Sequence, residues 1–460
     1  MMRASLLWPA VAATALAGCF KPGVCSSPLL RQSKSGSDDG APAVAWDEPV
    51  QVASGDAHRG PWRMNESDWR FVDDPTVAMN DSGVVAIAWA DHARQDIVLQ
   101  VFEPSGERRF DEPVNISRSP SVFSWLPRLE LSSGDAGTVY VVWQEIVFSG
   151  GSHGGEILFS RSTDGGARFE KPLNLSDTTA GAGKGRLTAD RWQNGSFDLV
   201  RNAEGMLYAA WTEYEGRLFF RRSEDDGKSF AETVQLARGD EIGEPPARGP
   251  SLAASTNGAV HIAWTVGGDP AADIRLASSA DGGRSFGQVT LVAPGDSHAD
   301  APQLALDSRG TLHLVYAAGD EGPLRAYDIR YTRRAREDAG WTASRSITGA
   351  HADKLASVHF PTLTIDAEDQ LNVLWELYPR LRERPRGLGF SRSAAGGEAF
   401  ADPMVVPGSN APKLGFNGSQ QGLFMRKLAV NERGEVAVVN STFAPGRASH
   451  IWLYRARHAP

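Results

Sequence analysis

The chain has 460 residues, of which 48 are glycine, and its formal net charge is -9. This length can hold two or three ordinary domains or one closed array of repeats. A nucleic-acid-binding protein needs a basic face, so the negative charge argues against a nucleic-acid partner, and no long basic block is present that would bind an anionic membrane surface.

The N-terminal segment is typical of a secretory signal. Arg3 precedes an apolar stretch, residues 4–17, which is too short to span a bilayer as a stable helix. The sequence Leu-Ala-Gly-Cys at residues 16–19 resembles the lipobox of bacterial lipoproteins and implies that Cys19 is lipidated. Phe20 follows in place of aspartate, which by the same resemblance favours the outer membrane or cell surface. A non-lipidated periplasmic or secreted protein is the alternative.

A tether is expected between this anchor and the folded region. Residues 26–43 are rich in Ser, Gly, Asp and Pro and have little to bury, which is typical of disorder. Cys25 is the only other cysteine, so we expect no disulfide in the fold. The predicted organisation is a signal peptide at 1–18, a lipidated cysteine and tether at 19–44, and one folded domain at 45–460. The membrane is then contacted only through the lipid.

A strand–turn–strand unit recurs along the domain. Each unit has a short apolar strand, a turn containing glycine, and an alternating strand that usually ends in an aromatic residue. Two further strands follow in most units, and the repeat length of about fifty to seventy residues is typical of a four-stranded propeller blade. The seven units occupy residues 75–89, 127–143, 197–211, 250–264, 302–316, 361–375 and 427–440.

An eight-residue phrase, Ser-x-Asp-x-Gly-x-x-Phe, occurs three times where the third and fourth strands of a unit should be joined. Its aspartate can bond backbone N–H groups, its glycine accepts positive φ, and its aromatic can pack over the loop. The phrase is the Asp-box, so the chain resembles the Asp-box (BNR) repeat, sialidase-like propeller superfamily. We call these segments box turns; they contain Ser162, Asp164, Gly166 and Phe169; Ser223, Asp225, Gly227 and Phe230; and Ser279, Asp281, Gly283 and Phe286.

The seventh unit contains only three of the four strands expected for a blade. Residues 46–52 repeat the pattern of residues 110–116, the fourth strand of unit one, so this N-terminal strand is expected to complete the last blade. Closing the ring hides strand edges that an open array exposes. The predicted fold is all-β, a single seven-bladed propeller of four-stranded antiparallel blades. Six blades are the alternative, because well-known sialidases of the superfamily have six.

Binding is expected on the face opposite the box turns, where the long loops lie. Arginines beside tryptophans suit carboxylated or neutral sugars through charge-assisted hydrogen bonds and ring stacking. An ordinary solvated position in a loop or at the rim is the alternative for each such residue. The candidates from these loops and from the ends of second strands are Arg63, Arg70, Asp91, Asp190, Arg191, Glu213, Tyr214, Arg248, Glu376 and Tyr378.

The resemblance implies two function hypotheses. Sialidases of the superfamily use an arginine triad, a tyrosine nucleophile with a glutamate, and an aspartate acid/base; their first arginine lies two residues before a blade's proline. That position holds Asp73 in unit one and Arg248 in unit four. We therefore expect recognition of a glycan or glycoprotein, with sialidase-type hydrolysis, or else a non-catalytic protein-binding scaffold. No metal-ligand spacing or nucleotide-binding glycine loop occurs, so neither metal nor cofactor is expected.

Overall fold

The computed structural model describes residues 44–60, 68–118, 123–134, 137–149, 152–177, 196–212, 216–239, 247–267, 271–292, 295–319, 326–336, 339–349, 355–418 and 426–458. The predicted signal peptide, Cys19 and nearly all of the predicted tether lie outside these residues. Within them, no helix has both the length and the apolar character needed to cross a membrane. One short 3-10 helix is present at Pro412–Leu414.

The chain forms seven four-stranded antiparallel blades, which confirms the predicted fold class and blade number. The first four strands are β1 (Val44–Trp46), β2 (Val50–Gly55), β3 (His58–Arg59) and β4 (Trp69–Arg70). Blade 1 contains β5 (Val72–Met79), β6 (Val85–Asp91), β7 (Asp96–Phe102) and β8 (Val114–Asn115). Blade 2 contains β9 (Phe123–Leu131), β10 (Val139–Ser149), β11 (Ser152–Ser162) and β12 (Leu173–Asn174). Blade 3 contains β13 (Phe197–Arg201), β14 (Leu207–Thr212), β15 (Leu218–Ser223) and β16 (Val234–Ala237).

The remaining blades follow in the same order. Blade 4 contains β17 (Ala247–Ala254), β18 (Val260–Gly267), β19 (Ala272–Ser279) and β20 (Thr290–Val292). Blade 5 contains β21 (His298–Leu306), β22 (Leu312–Gly319), β23 (Tyr327–Arg334) and β24 (Arg345–Ser346). Blade 6 contains β25 (Ser357–Ile365), β26 (Gln370–Tyr378), β27 (Leu388–Ala395) and β28 (Met404–Val405). Blade 7 contains β29 (Phe416–Asn417), β30 (Leu428–Val430), β31 (Val436–Ala444) and β32 (Ala448–His458).

The N-terminal strands close the ring, as the sequence comparison predicted. β1 and β2 both pair antiparallel with β32, with Val44 opposite His458 and Val50 opposite Leu453. They take the outer position of blade 7, which β8 and its equivalents occupy in the other blades. The two ends of the described chain therefore belong to one sheet, and a strand edge that would otherwise be exposed is paired.

The hydrophobic core lies between neighbouring blades. Alternate residues of each strand point to opposite faces of the sheet, so each blade packs against both of its neighbours. The aromatic residues that marked the second strands of the repeat lie within those strands and are almost fully buried in these interfaces: Trp89, Trp143, Trp211, Trp264, Tyr316 and Trp375. The aromatic spacing that defined the repeat in the sequence is thus the spacing of interface residues.

The box turns share one hydrogen-bonding pattern. Ser162 Oγ donates to Asp164 Oδ1 (2.7 Å), while the Gly166 N–H donates to Ser162 Oγ (2.9 Å) and the Arg168 N–H to Asp164 Oδ1 (2.9 Å). In blade 4, Gly282 N–H donates to the carbonyl of Gly258 in the turn between the first two strands (2.9 Å). The box turns therefore lie on the same face as the first-to-second-strand turns, as expected.

A single arginine connects blades across the centre of the ring. The guanidinium of Arg426, at the start of the inner strand of blade 7, forms ion pairs with Glu130 of blade 2 and Asp198 of blade 3 (3.0 Å to Asp198 Oδ1). Blade 7 is not adjacent to either of these blades, so the side chain crosses the central channel. The two carboxylates raise the pKa of Arg426 even though burial acts in the opposite direction. The channel is therefore bridged by charge and is not an open pore at this level.

Candidate functional site

The inner strands of five blades share a bulge at the face opposite the box turns. The residue before the strand's proline has left-handed φ between 53° and 60° in all five: Asp74, Leu126, Gly249, Ala301 and Phe360. At each of these points the pairing with the second strand slips by one residue, the signature of a β-bulge. Backbone strain of this kind costs free energy and is often found where a side chain must be aimed at a site.

The bulge places one equivalent residue of each blade at the mouth of the channel. First strands of neighbouring blades contact one another around the axis, so residues at their loop-bearing ends face a common opening. We call the five residues two positions before the prolines the mouth ring: Asp73, Trp125, Arg248, Asp300 and His359. Four of them are buried, and Arg248 is partly exposed. A ring this mixed in charge differs from an arginine triad.

Two arginines from distant parts of the chain approach each other beside Asp73. Arg59 lies on β3 with its guanidinium 4.9 Å from the ring centroid of Trp69, and Arg384 lies in the loop after β26 with its guanidinium 4.6 Å from the Phe416 ring. Both side chains are exposed, yet partial loss of solvent lowers the pKa of both arginines, and repulsion from Arg59 lowers that of Arg384 further. Neither makes an ion pair within the described part of the chain.

Asp73 only partly compensates these charges. Burial raises the pKa of Asp73, and this effect outweighs the opposing hydrogen bond from Ser441 Oγ and the charges of Lys427 and Arg384. Asp73 is also close to Gly418, where a Cβ would lie 2.8 Å from Asp73 Oδ1. The carboxyl is therefore enclosed, and the arginine pair (Arg59 and Arg384) carries a net positive charge toward solvent.

Tyr378 lies at the end of β26 in blade 6, near Arg384, and Glu376, the glutamate expected to assist it, forms an ion pair with Lys427. Glu376 Oε1 lies 2.5 Å from Lys427 Nζ, and both side chains are almost fully buried. Burial, followed by the charge of Glu376, raises the pKa of Tyr378. A tyrosine with a raised pKa keeps its proton and donates hydrogen bonds, which opposes use as a nucleophile. The two candidate residues, which lie two positions apart in β26, are therefore in different environments: Glu376 is paired with Lys427, and Tyr378 is a neutral phenol.

A tyrosine–histidine cluster occupies the mouth over blades 4 to 6. Tyr327 Oη lies 3.5 Å from His298 Nε2, and the rings of Tyr327 and His359 meet edge to face with centroids 4.1 Å apart. Asp300 forms an ion pair with Arg248 (3.0 Å) and accepts a hydrogen bond from Thr265 Oγ1 (2.9 Å). Although burial acts to raise it, the pKa of Asp300 is held far below its ordinary value by Arg248 and His298.

A cavity of about 490 Å³ adjoins this cluster between blades 5 and 6. Its wall includes Tyr327 and Ser357 together with Asp296, Asp328 and Arg330. Asp296 accepts a hydrogen bond from Tyr316 (2.5 Å) and pairs with Arg330 (3.3 Å), so the wall is polar and internally organised. The volume lies in the range of small-molecule sites in proteins.

The sequence candidates are divided among several places. Arg70 pairs with Asp68 on the exposed hairpin β3–β4, and Asp91 accepts hydrogen bonds from the backbone N–H groups of Ala93 and Arg94 in the turn after β6. Arg248, Glu376 and Tyr378 do lie at the mouth. Five candidates lie outside the described residues: Arg63, Asp190, Arg191, Glu213 and Tyr214.

Several residues at the mouth were not among the candidates: Arg59, Trp125, His298, Asp300, Tyr327, His359 and Arg384. The spacing that identified Asp73 and Arg248, two residues before a blade's proline, also identifies Trp125, Asp300 and His359. No comparable signal marks Arg59, Tyr327 or Arg384, because loop and strand-end conformations bring them to the mouth.

Comparisons with known proteins agree on architecture. No family profile matches the sequence, and no curated protein is similar to it in sequence. Among solved structures, an ulvan lyase of polysaccharide lyase family PL25, bound to -[GlcA(1-4)Rha3S]-, is similar with a TM-score of 0.53 and 11% identity, covering 88% of this chain and 95% of that chain. The polysaccharide lyase Uly1 is similar with a TM-score of 0.50 and 12% identity, over 84% and 90% of the two chains.

A sialidase is a more distant structural neighbour. The K499G mutant of NanB sialidase from Streptococcus pneumoniae has a TM-score of 0.43 and 9% identity, and the alignment covers 75% of this chain and 68% of that chain. At these identities the likeness concerns the fold alone, and the chain shares the propeller architecture of the polysaccharide lyases.

Proposed function

We propose that this propeller binds an acidic glycan at its loop-bearing face. The observation that carries the proposal is the arginine pair: Arg59 and Arg384 approach each other from separate segments and make no ion pair among the described residues. Two like charges brought together repel unless an anion lies between them. A carboxylate or sulfate group fits both guanidinium groups through charge-assisted hydrogen bonds.

The surroundings favour a saccharide over a free inorganic ion. The half-buried Tyr327 hydroxyl and Arg248 guanidinium lie at the mouth beside the buried His298 and Asp300, and hydroxyl and guanidinium groups suit the many hydroxyl groups of a sugar. A polar cavity with the volume of a small-molecule site adjoins the same opening. Two structural neighbours with TM-scores of at least 0.5 are polysaccharide lyases, and one was solved with a glucuronate-containing saccharide, which supports the same ligand class.

Binding can be tested by calorimetry with matched ligands. We expect glucuronate-containing and sialylated oligosaccharides to bind, and their neutral counterparts to bind at least tenfold more weakly. The variants Arg59→Ala and Arg384→Ala should each weaken acidic-ligand binding by about tenfold or more, because a charge-assisted hydrogen bond contributes about 1.5–3 kcal/mol. Arg168→Ala, on the exposed box-turn face, is the matched control. Equal affinity of all variants, or equal binding of neutral sugars, would contradict the proposal.

Cleavage of the bound glycan is a second candidate, and the tyrosine–histidine cluster favours it. Neutralising a carboxylate makes the neighbouring C–H more acidic, so the arginine pair would promote proton removal, and tyrosine and histidine are suitable proton carriers. The raised pKa of Tyr378 and the Lys427–Glu376 pair favour this elimination chemistry over sialidase-type hydrolysis. Elimination breaks the C–O bond beside the deprotonated carbon, with the leaving sugar oxygen taking up a proton, and leaves a C=C bond.

The two chemistries have different readouts. Elimination creates a conjugated carboxylate that absorbs in the ultraviolet, whereas sialidase-type hydrolysis releases the fluorophore of a fluorogenic sialoside. Tyr327→Phe should abolish the first signal while the variant still binds oligosaccharide. Absence of both signals from a panel of acidic glycans, with retained binding, would leave a glycan-binding protein. If no glycan is bound, the alternative of a protein-binding scaffold is favoured.

We also propose that the mature protein is anchored at Cys19 on the outer membrane. The support is the Leu-Ala-Gly-Cys sequence after an apolar segment and the residue that follows it. In a Gram-negative host, wild-type protein should incorporate radiolabelled fatty acid and fractionate with outer membranes. Cys19→Ala should lose the label and appear in soluble fractions. Labelling that persists in Cys19→Ala would contradict the assignment.

A further inference from the structure

An arginine-rich loop extends the positive charge of the mouth. The loop between β26 and β27 contains Arg380, Arg382, Arg384 and Arg386 with a single acidic residue, Glu383. Four arginines and one glutamate give a formal charge of +3 over residues 380–386, in a chain whose formal net charge is -9. All four arginine side chains are exposed. This is a local reversal of charge on the face where the arginine pair lies.

The base of this loop is held firmly by blade 7. Asn417 donates its N–H to Pro385 O (2.8 Å), accepts the Gly387 N–H at Oδ1 (3.1 Å), and donates Nδ2 to Gly387 O (3.1 Å). Arg386 N–H donates to Leu377 O across the base (2.8 Å). Asn417 is itself buried, so these bonds are shielded from water. The arginines are therefore displayed from a defined position.

Most of the loop's charge is uncompensated. Arg380 pairs with Glu383 (3.0 Å), and both of these side chains are more than half exposed, so the pair is weak. Arg382 and Arg386 make no ion pair within the described residues. Each lies two residues from Arg384, so their Cα atoms are at most about 7.6 Å from its Cα at 3.8 Å per residue. A single acidic group at the arginine pair would leave these neighbouring cations without a partner.

We propose that this loop is a subsite for a polyanionic chain, so that the ligand is a polysaccharide with repeated carboxylate or sulfate groups rather than one with a single acidic end group. The inference rests on the proposed function, because Arg384 belongs both to the loop and to the arginine pair. Successive acidic groups of the chain pair with Arg384 and with the arginines beside it. Affinity should therefore rise with ligand length and fall with salt.

The test compares short and long ligands on one double variant. The probes are a glucuronate-containing disaccharide and a chain of at least ten residues of the same polymer. Arg382→Gln/Arg386→Gln should weaken long-chain binding by at least tenfold and reduce its salt dependence, while disaccharide binding changes less than twofold. Arg168→Gln/Lys171→Gln, which removes two exposed charges on the box-turn side, should change neither. Unfolding midpoints of both double variants should match the wild type.

The outcomes separate this inference from the function on which it rests. If Arg384→Ala weakens binding of both ligands but the loop double variant binds the long chain normally, the proposed subsite is refuted and the proposed binding of an acidic glycan stands. If neither variant changes binding, both are wrong. Phosphatidylglycerol vesicles provide the competing surface. If the wild type binds these vesicles, the loop double variant does not, and neither binds the long polysaccharide, the inference is overturned in favour of an anionic membrane.

Discussion

Alanine in place of Gly227 is expected to destabilise the ring at the interface of blades 2 and 3. Gly227 has φ of +80°, and a Cβ there would lie 2.8 Å from Phe159 Cζ and 3.0 Å from Leu207 Cδ1. Phe159 is only 1% exposed and packs edge to face against Phe230 at a centroid distance of 5.0 Å, so its side chain has little room to move. Left-handed strain costs about 1–2 kcal/mol, and overpacking adds about 1–3 kcal/mol. The expected loss of unfolding free energy is therefore about 2–5 kcal/mol.

Gly310 provides a matched control for this substitution. Its φ is +79°, nearly the same as that of Gly227, but nothing lies within 4 Å of the position of its Cβ. Gly310→Ala should therefore lose only the strain contribution, about 1–2 kcal/mol. Urea unfolding followed by tryptophan fluorescence gives both values, provided that the slope with denaturant is unchanged. Equal losses in the two variants would refute the claim that interblade contact determines the need for glycine.

Three further predictions concern buried charges in the folded ring. Arg426→Met should lower the unfolding free energy by about 3–5 kcal/mol, because Glu130 loses its ion pair and Asp198 keeps only Arg128, at 3.6 Å. Adding Glu130→Gln should recover part of this loss. Burial, with the charge of Arg59, lowers the pKa of His92 to about 3, below the unfolded value of about 6.5. Between pH 7 and 5 the imidazole is therefore protonated in the unfolded state and not in the folded state, and the free energy of unfolding should fall by about 2 kcal/mol. Urea unfolding curves at the two pH values should show a smaller fall in His92→Phe. Arg161→Met removes the hydrogen bonds to Asp226 of the next blade and should lower the free energy of unfolding in urea by about 1–3 kcal/mol. An unchanged unfolding midpoint would show that these bonds contribute nothing to stability.

The fold was predictable because its determinants are local and repeated. Alternating strands and turn glycines recur along the blades, an aromatic residue marks the second strand in blades 1 to 6, and such a repeat pattern records blade number directly. Ring closure followed from a match between two short segments, residues 46–52 and 110–116, which occupy equivalent outer positions in blades 7 and 1. Strand pairing depends on periodicity and turns, and both are visible in one sequence.

The mouth was only partly predictable because loops and chain-distant contacts determine it. Arg59 and Arg384 lie on different connections, and their approach depends on the hairpin β3–β4 and on the anchoring of the arginine-rich loop by Asn417. Neither contact leaves a periodic signal. Tyr378 illustrates the same limit: its residue type and its position at the end of a second strand are visible in the sequence, but its charge environment is not, since Lys427, which pairs with Glu376, comes from the next blade.

The box turns are best understood as joints between blades. Blade 6 lacks the aspartate, yet Ala394 N–H still donates to Ala399 O (2.9 Å) and Gly397 N–H to Ala394 O (3.1 Å), so backbone hydrogen bonds still close the hairpin. Two arginines of blade 5 donate hydrogen bonds to carbonyls of this turn, Arg333 to Gly396 and Arg345 to Gly397. In each of the three box turns, an arginine of the preceding blade does the same: Arg109 to Gly165, Arg161 to Asp226, and Arg222 to Gly283.

This distribution explains which part of the phrase can be lost. The aspartate stabilises its own turn, and backbone hydrogen bonds can replace it. The glycine cannot be replaced in the same way, because the preceding blade packs against its Cα in blades 2, 3, 4 and 6, with a Cβ there lying 2.1–2.8 Å from Leu99, Phe159, Phe220 and Tyr331 respectively. The phrase therefore repeats where one blade meets the next, on the face opposite the arginine pair, and its presence specifies a ring without specifying what the mouth of that ring binds.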